Sequence, residues 1–273
     1  MDIQYGRKRK GIKQELDDKI SDWLTSIDDG TVRALAKKNV IVTGGAIASM
    51  LLGEKVNDFD LYFRDLETTE AVARYYVDNF GGAEVRVENI FNAKDVEERR
   101  VLIHVPSAGV AGNDDEERDY RVSFMSRNAI TLTNKIQLVT RFYGEPEEIH
   151  DNYDFQHACC YYDYAARDLV LPSEALECLL SRSLVYRGSL YPVASIFRMK
   201  KFLERGWRIT AGQQLKIMWQ ISELDLTNKG VLVEQLTGVD MAYMYALIAA
   251  LESVAPENID AAYVAEVIDR IFE

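Results

Sequence analysis

The sequence predicts an α+β body over residues 1–170, followed by a helical domain over residues 171–273. Two observations separate these parts. Up to about residue 170, short runs rich in β-branched and aromatic residues alternate with helical segments and are bordered by turn residues. From Ser173 onward, the segments 174–183, 192–204, 211–223, 231–236, 241–254 and 261–272 all favour helix. Pro172, Pro192 and Pro256 sit at the edges of these segments, where a missing N–H costs least.

The elements follow in order. Ile12, Leu16, Ile20, Leu24 and Ile27 recur four or three apart, which predicts a helix or helix pair over 12–37. Residues 39–43 read as a short buried strand, and 46–52 as a helix packed behind it and closed by Gly53. A second strand over 58–63 alternates acidic and apolar residues, and a helix over 68–79 ends at Gly81 and Gly82. Strand signals repeat over 84–90, 99–105, 120–125, 129–132 and 136–142, with a polar loop over 107–119. Residues 154–162 read as one further strand.

Charge and composition narrow the function. A net charge of −12 disfavours long duplex nucleic acid, because phosphate contacts dominate such binding and require a basic face. Acids gather at 112–119 and 145–148, and basic residues at the N-terminus and at 198–208, so a small anion or one end of a nucleic acid fits better. No apolar run approaches the roughly 20 residues needed to cross a bilayer, and no secretory signal follows the basic N-terminus. Three cysteines, of which Cys159 and Cys160 are adjacent, make no disulfide framework. The expectation is a cytoplasmic protein with no membrane partner.

The chemistry concentrates at Gly44 and Gly45, followed by Asp58 and Asp60. Residues i and i+2 of a strand share a face, so the two aspartates aim at one point, as hard divalent cations require. A glycine turn at a helix N-terminus beside them can cradle phosphate with backbone N–H groups. A dinucleotide-binding turn is disfavoured, since Ile47 and Ser49 stand where a further glycine belongs. An isolated Asp-x-Asp is usually a solvated surface feature. Here the glycine turn precedes it, and Phe59, Leu61 and Phe63 bury the opposite face, which leaves both aspartates jointly exposed.

This combination resembles the nucleotidyltransferase superfamily that includes DNA polymerase beta, poly(A) polymerases and tRNA CCA-adding enzymes. It also resembles nucleotidyltransferase-like proteins of bacteriophages, which would place the protein in the host cytoplasm. The resemblance spans roughly residues 35–165 and rests on the Gly-Gly turn and the Asp-x-Asp strand. It implies a mixed-sheet core with strands inserted between 82 and 142. It further implies transfer of a nucleoside monophosphate from a nucleoside triphosphate such as ATP to a hydroxyl acceptor, with Mg²⁺ (or Mn²⁺). The acceptor stays open between an RNA or tRNA end, a protein and a small molecule. A catalytically idle fold that binds a nucleotide or a protein is the alternative.

The resemblance also assigns roles. Gly44 and Gly45 hold phosphates, and Asp58, Asp60 and a third carboxylate on a neighbouring strand hold metal. Asp154 is the leading candidate for that third acid, ahead of Asp151, Asp163 and Asp119. Arg198, Lys201 and Arg205 fall at i, i+3 and i+7 of one helix face. That stripe is ordinarily a solvated surface, but Arg198 and Lys201 are expected to offset the triphosphate charge. Tyr191, with Tyr186, is a candidate for base stacking. His104, His150 and His157 have no zinc spacing. His104 is expected in a strand, His150 solvated, and His157 structural.

Overall fold

The computed structural model describes residues 6–80, 82–91, 97–105, 110–111, 119–226, 228–236, 246, 249–250, 254 and 260–272. The chain forms two compact units. The first contains Met1–Asp151 and His157–Leu180, and the second contains Asn152–Gln156 and Ser181–Glu273. The change of unit therefore falls later than the shift in sequence texture at residue 170.

In the first unit the N-terminal periodicity yields a helix pair, α1 (Arg9–Thr25) and α2 (Gly30–Asn39). Asp29 caps α2 by accepting from the amides of Thr31 and Val32. α1 buries Ile12, Leu16, Ile20, Trp23 and Leu24, and the Trp23 indole donates to the Tyr76 hydroxyl at 2.9 Å inside the core. β1 (Val40–Thr43) is wholly buried and leads through Gly44 into α3 (Gly45–Leu52). Gly53 ends α3 in the left-handed conformation, φ 70°, which glycine adopts without strain. β2 (Phe59–Phe63) and α4 (Leu66–Phe80) follow.

Beyond α4 the strands are β3 (Glu84–Phe91), β4 (Glu97–His104), β5 (Val110–Ala111), β6 (Val122–Met125), β7 (Ala129–Leu132) and β8 (Ile136–Tyr143). The short helix α5 (Pro146–His150), β9 (Tyr161–Asp163), β10 (Asp168–Val170) and α6 (Ser173–Ser181) complete this part of the chain. One eight-stranded sheet runs in the order β10-β9-β1-β2-β8-β7-β6-β5. β2 and β8 are parallel and the other neighbours antiparallel, so the sheet is mixed, and the class is the α+β expected. The β3–β4 hairpin stands outside this sheet and packs on α4 and β8.

Residues 154–162 are not one strand. Phe155 makes an isolated bridge to Tyr186, a 3₁₀ turn covers Gln156–Ala158, and β9 begins at Tyr161. The reason is packing. Phe155 sits edge-on to Tyr186 and Phe202, which pulls residues 152–156 into the second unit before the chain turns back to pair with β1.

The second unit contains β11 (Ser183–Leu184), α7 (Pro192–Glu204), β12 (Arg208–Ile209), α8 (Ala211–Ser222), α9 (Lys229–Gln235) and α10 (Ala261–Phe272). Val193, Leu232, Leu236, Val264 and Val267 form its apolar cluster. Most of the expected helix over 241–254 and most of the loop over 107–119 lie outside the described residues.

Candidate functional site

The turn after β1 is built on glycine for a backbone reason. Gly44 has φ 94° and ψ −148°, a region that side-chain-bearing residues avoid. Its amide donates to the Ala158 carbonyl at 3.2 Å, so that N–H is already engaged within the protein. Gly45 opens α3 and is exposed, and a Cβ placed there would meet no atom within 4 Å. α3 has no side-chain N-cap, so no capping side chain takes up its first-turn amides.

Beneath the turn lies a network that the sequence did not reveal. Thr43 is fully buried, and its hydroxyl donates to the Cys160 carbonyl at 3.0 Å. A hydroxyl has one proton, so His150 Nε2, at 2.7 Å, donates to the Thr43 oxygen. His150 is therefore buried rather than solvated, and it ties α5 to the end of β1. The apolar run that ends at Thr43 gives no sign of a partner so distant in the chain. His157 is buried, in keeping with a structural place, and His104 sits on β4 within 2.7 Å of Glu88.

Asp58 lies immediately before β2 and is exposed. Asp60 lies within β2 and is half-buried, so the pair is not equally exposed as the alternation suggested. Burial, and then the neighbouring Asp58 charge, push the Asp60 carboxyl up to about 7. Neither carboxylate has an ion-pair partner among the described residues. Phe59, Leu61 and Phe63 fill the opposite face, as the alternation requires.

The strands flanking β2 are β1 and β8, and neither carries an acid. β1 reads Val-Ile-Val-Thr, and the parallel register places Gln137 of β8 beside Asp60. Asp154 is on neither strand. It belongs to the second unit, where Arg198 Nε pairs with its Oδ2 at 2.5 Å. The residues expected to hold metal and triphosphate thus neutralise each other. Asp163, on β9, pairs with Arg64 at 2.6 Å, Asp119 accepts from Asn134 at 3.2 Å, and Asp151 caps the end of α5. Among the described residues, no group of three histidines, cysteines or acids is arranged to hold a metal ion.

The other expected binding residues also belong to the second unit. Tyr191 is half-buried at the N-cap of α7, and Lys201 is exposed in its last turn. Arg205 lies over the Phe202 ring at 5.1 Å. Tyr186 is buried, donates to Gln220 at 2.5 Å and so presents no open face for stacking.

Solved structures similar to the chain include the Thermotoga maritima CCA-adding enzyme complexed with tRNA. It is 15% identical with a TM-score of 0.40, and the match covers 92% of this chain and 68% of that one. A CCA-adding enzyme with ATP is 16% identical at TM-score 0.43 over 92% and 68%. The Bacillus stearothermophilus CCA-adding enzyme in complex with CTP is 14% identical at TM-score 0.40 over 85% and 52%. A curated relative, "Gabija anti-defense 2" of Bacillus phage SPbetaL7, is 20% identical over 210 residues, 76% of this chain and 44% of that protein. The chain therefore spans less than half the length of that relative. The family model described as Gabija anti-defense 2 family protein matches residues 14–182, more than half of the sequence, and the chain belongs to that family.

Proposed function

We propose that this chain binds a nucleoside triphosphate with a divalent cation at the first unit's glycine turn and acidic pair, and transfers a nucleoside monophosphate to a hydroxyl acceptor. One observation carries the reading: two carboxylates two residues apart, without a cationic partner among the described residues, stand beside an uncapped helix start. The donor set fits a hard cation, being oxygen only, and the Asp60 carboxyl is held up first by burial and then by the neighbouring Asp58 charge. When bound, Mg²⁺ or Mn²⁺ supplies charge neutralisation at the transferring phosphoryl group.

The chain's own residues do the remaining work. Asp58 and Asp60 fix the cation. The first turn of α3 offers backbone N–H groups and the positive end of a helix dipole to phosphate. Thr43 and His150 hold that turn from below. Asp154 is left out of the ligand set, since it pairs with Arg198.

Calorimetry of each nucleoside triphosphate with and without Mg²⁺, run beside a pyrophosphate-release assay, tests the proposal. The expected result is Mg²⁺-dependent binding with release of pyrophosphate, both lost in Asp60→Asn. Their retention in that variant overturns it. A second reading, nucleotide binding without turnover, is favoured by the absence of an acid on β1 and β8 and by Gln137 beside Asp60. Binding without pyrophosphate release selects it. We further propose that the nucleotide site serves the anti-defense role of the family in the host cytoplasm. Radiolabelled triphosphates incubated with RNA and protein extracts identify the acceptor.

A further inference from the structure

We propose that the cavity along α1 and α2 is a second anion site, which takes a small phosphomonoester. An open cavity of about 400 Å³ lies there. Arg33 and Lys37 enter it from α2, one helical turn apart, so their charges share a face. Ser21 and Thr25 enter from α1 with the same spacing, and Tyr164 closes the wall from the turn after β9. No acidic residue lines it, in a chain whose net charge is −12.

Like charges four residues apart on a helix destabilise it, and an anion between them removes that cost. Neither Arg33 nor Lys37 forms an ion pair among the described residues. Arg33 spends one N–H on the Ile27 carbonyl at 3.3 Å, and a guanidinium has five. The hydroxyls are prearranged. Ser21 Oγ and Tyr164 OH lie 2.9 Å apart, so one of the two donates to the other and the second keeps its proton for a ligand, whereas Thr25 Oγ1 spends its proton on the Ser21 carbonyl at 2.8 Å. Tyr164 is buried, which fixes its hydroxyl at the wall.

A phosphomonoester carries nearly two negative charges at neutral pH and three terminal oxygens, and so matches two cations backed by the one hydroxyl proton that the Ser21–Tyr164 pair leaves free. The volume lies near the lower end of small-molecule pockets, roughly 300–1,000 Å³, which suits a mononucleotide better than a polymer. The place differs from the Asp58–Asp60 site. β9 runs antiparallel to β1 with Thr43 opposite Tyr161, so Tyr164 falls beside the start of β1, whereas Gly44 follows its end. At ~3.3 Å per residue, the length of β1 separates the two.

Titration with inorganic phosphate, AMP and adenosine in EDTA tests this, because binding here needs no divalent cation. The wild-type chain is expected to bind AMP and phosphate but not adenosine. R33A/K37A should weaken AMP binding at least ~10-fold, in keeping with the loss of charge-assisted hydrogen bonds. Lys37→Glu should weaken it as well. Both positions are exposed, so thermal unfolding should confirm an intact fold in each variant. Asp58→Asn/Asp60→Asn should bind AMP as the wild type does, which separates this site from the nucleotide site. Equal affinity in R33A/K37A overturns the proposal, as does failure of phosphate and AMP to bind. Binding confined to a 5′-phosphorylated oligonucleotide also overturns it, in favour of a nucleic-acid end.

Discussion

Asp60 places a carboxyl in a half-buried position beside another acid, and the folded protein resists ionising it. The folded chain therefore keeps that proton up to about 7, whereas the unfolded chain releases it near the ordinary 3.8. Between those values the folded state binds more protons, so stability falls as pH rises. Asp60→Asn removes this slope. Allowing for solvent relaxation, it should stabilise the metal-free protein by about 1–3 kcal/mol above pH 7, measured by urea unfolding at pH 5 and 8. A variant no more stable at pH 8 would show that the charge is balanced by something else. The two glycines differ in the same physical way. Gly44→Ala must hold a positive φ and should cost about 1–3 kcal/mol, while Gly45→Ala enters open space at a helix start and should be nearly neutral to folding. Equal losses in thermal unfolding would contradict the backbone argument.

The elements owe their positions to a few buried polar links as well as to apolar pattern. Thr43→Val keeps the shape of the side chain but removes its hydrogen bonds to His150 and Cys160. An unpaired buried group costs about 1–3 kcal/mol, and the expected readout is a lower urea midpoint with weaker nucleotide affinity, since the glycine turn is the next residue. Unchanged affinity would separate the network from the site. The elements from α1 to β2 were legible where each carries its own signal: apolar spacing in α1, Gly53 after α3, and alternation in β2. Residues 154–162 were not. Their alternation is genuine, but Phe155 is claimed by aromatic rings of the second unit, a contact that no local pattern encodes. The acidic pair was legible for the reason α1 was. That neither strand bordering β2 carries an acid was not, because it depends on which strands those are, and that order is a property of the sheet.

At the scale of the molecule, residues 152–156 leave one unit to join another, and Asp154 is part of what holds them there. Its carboxylate pairs with Arg198, and its carbonyl accepts from the Arg187 amide at 2.8 Å. The Asp154 side chain is 13% exposed, so Arg198→Ala would leave a largely buried charge unpaired, at a cost of about 1–3 kcal/mol after discounting for the more exposed partner. Mg²⁺-dependent nucleotide binding should survive both that change and Asp154→Asn; its loss in the second alone would restore Asp154 as a metal ligand. The net charge of −12 sets a further expectation. Polyanion binders release counterions from each neutralised phosphate, so their affinity falls steeply with salt. Two cations facing a cavity neutralise at most about two charges, so AMP affinity against salt should have a log–log slope no steeper than about −2. The acidic remainder repels a long duplex, which should show no measurable binding at ~0.15 M salt in fluorescence anisotropy. A duplex that bound with a slope of about −4 or steeper would reveal a continuous basic surface and overturn the view of a chain built for small anions.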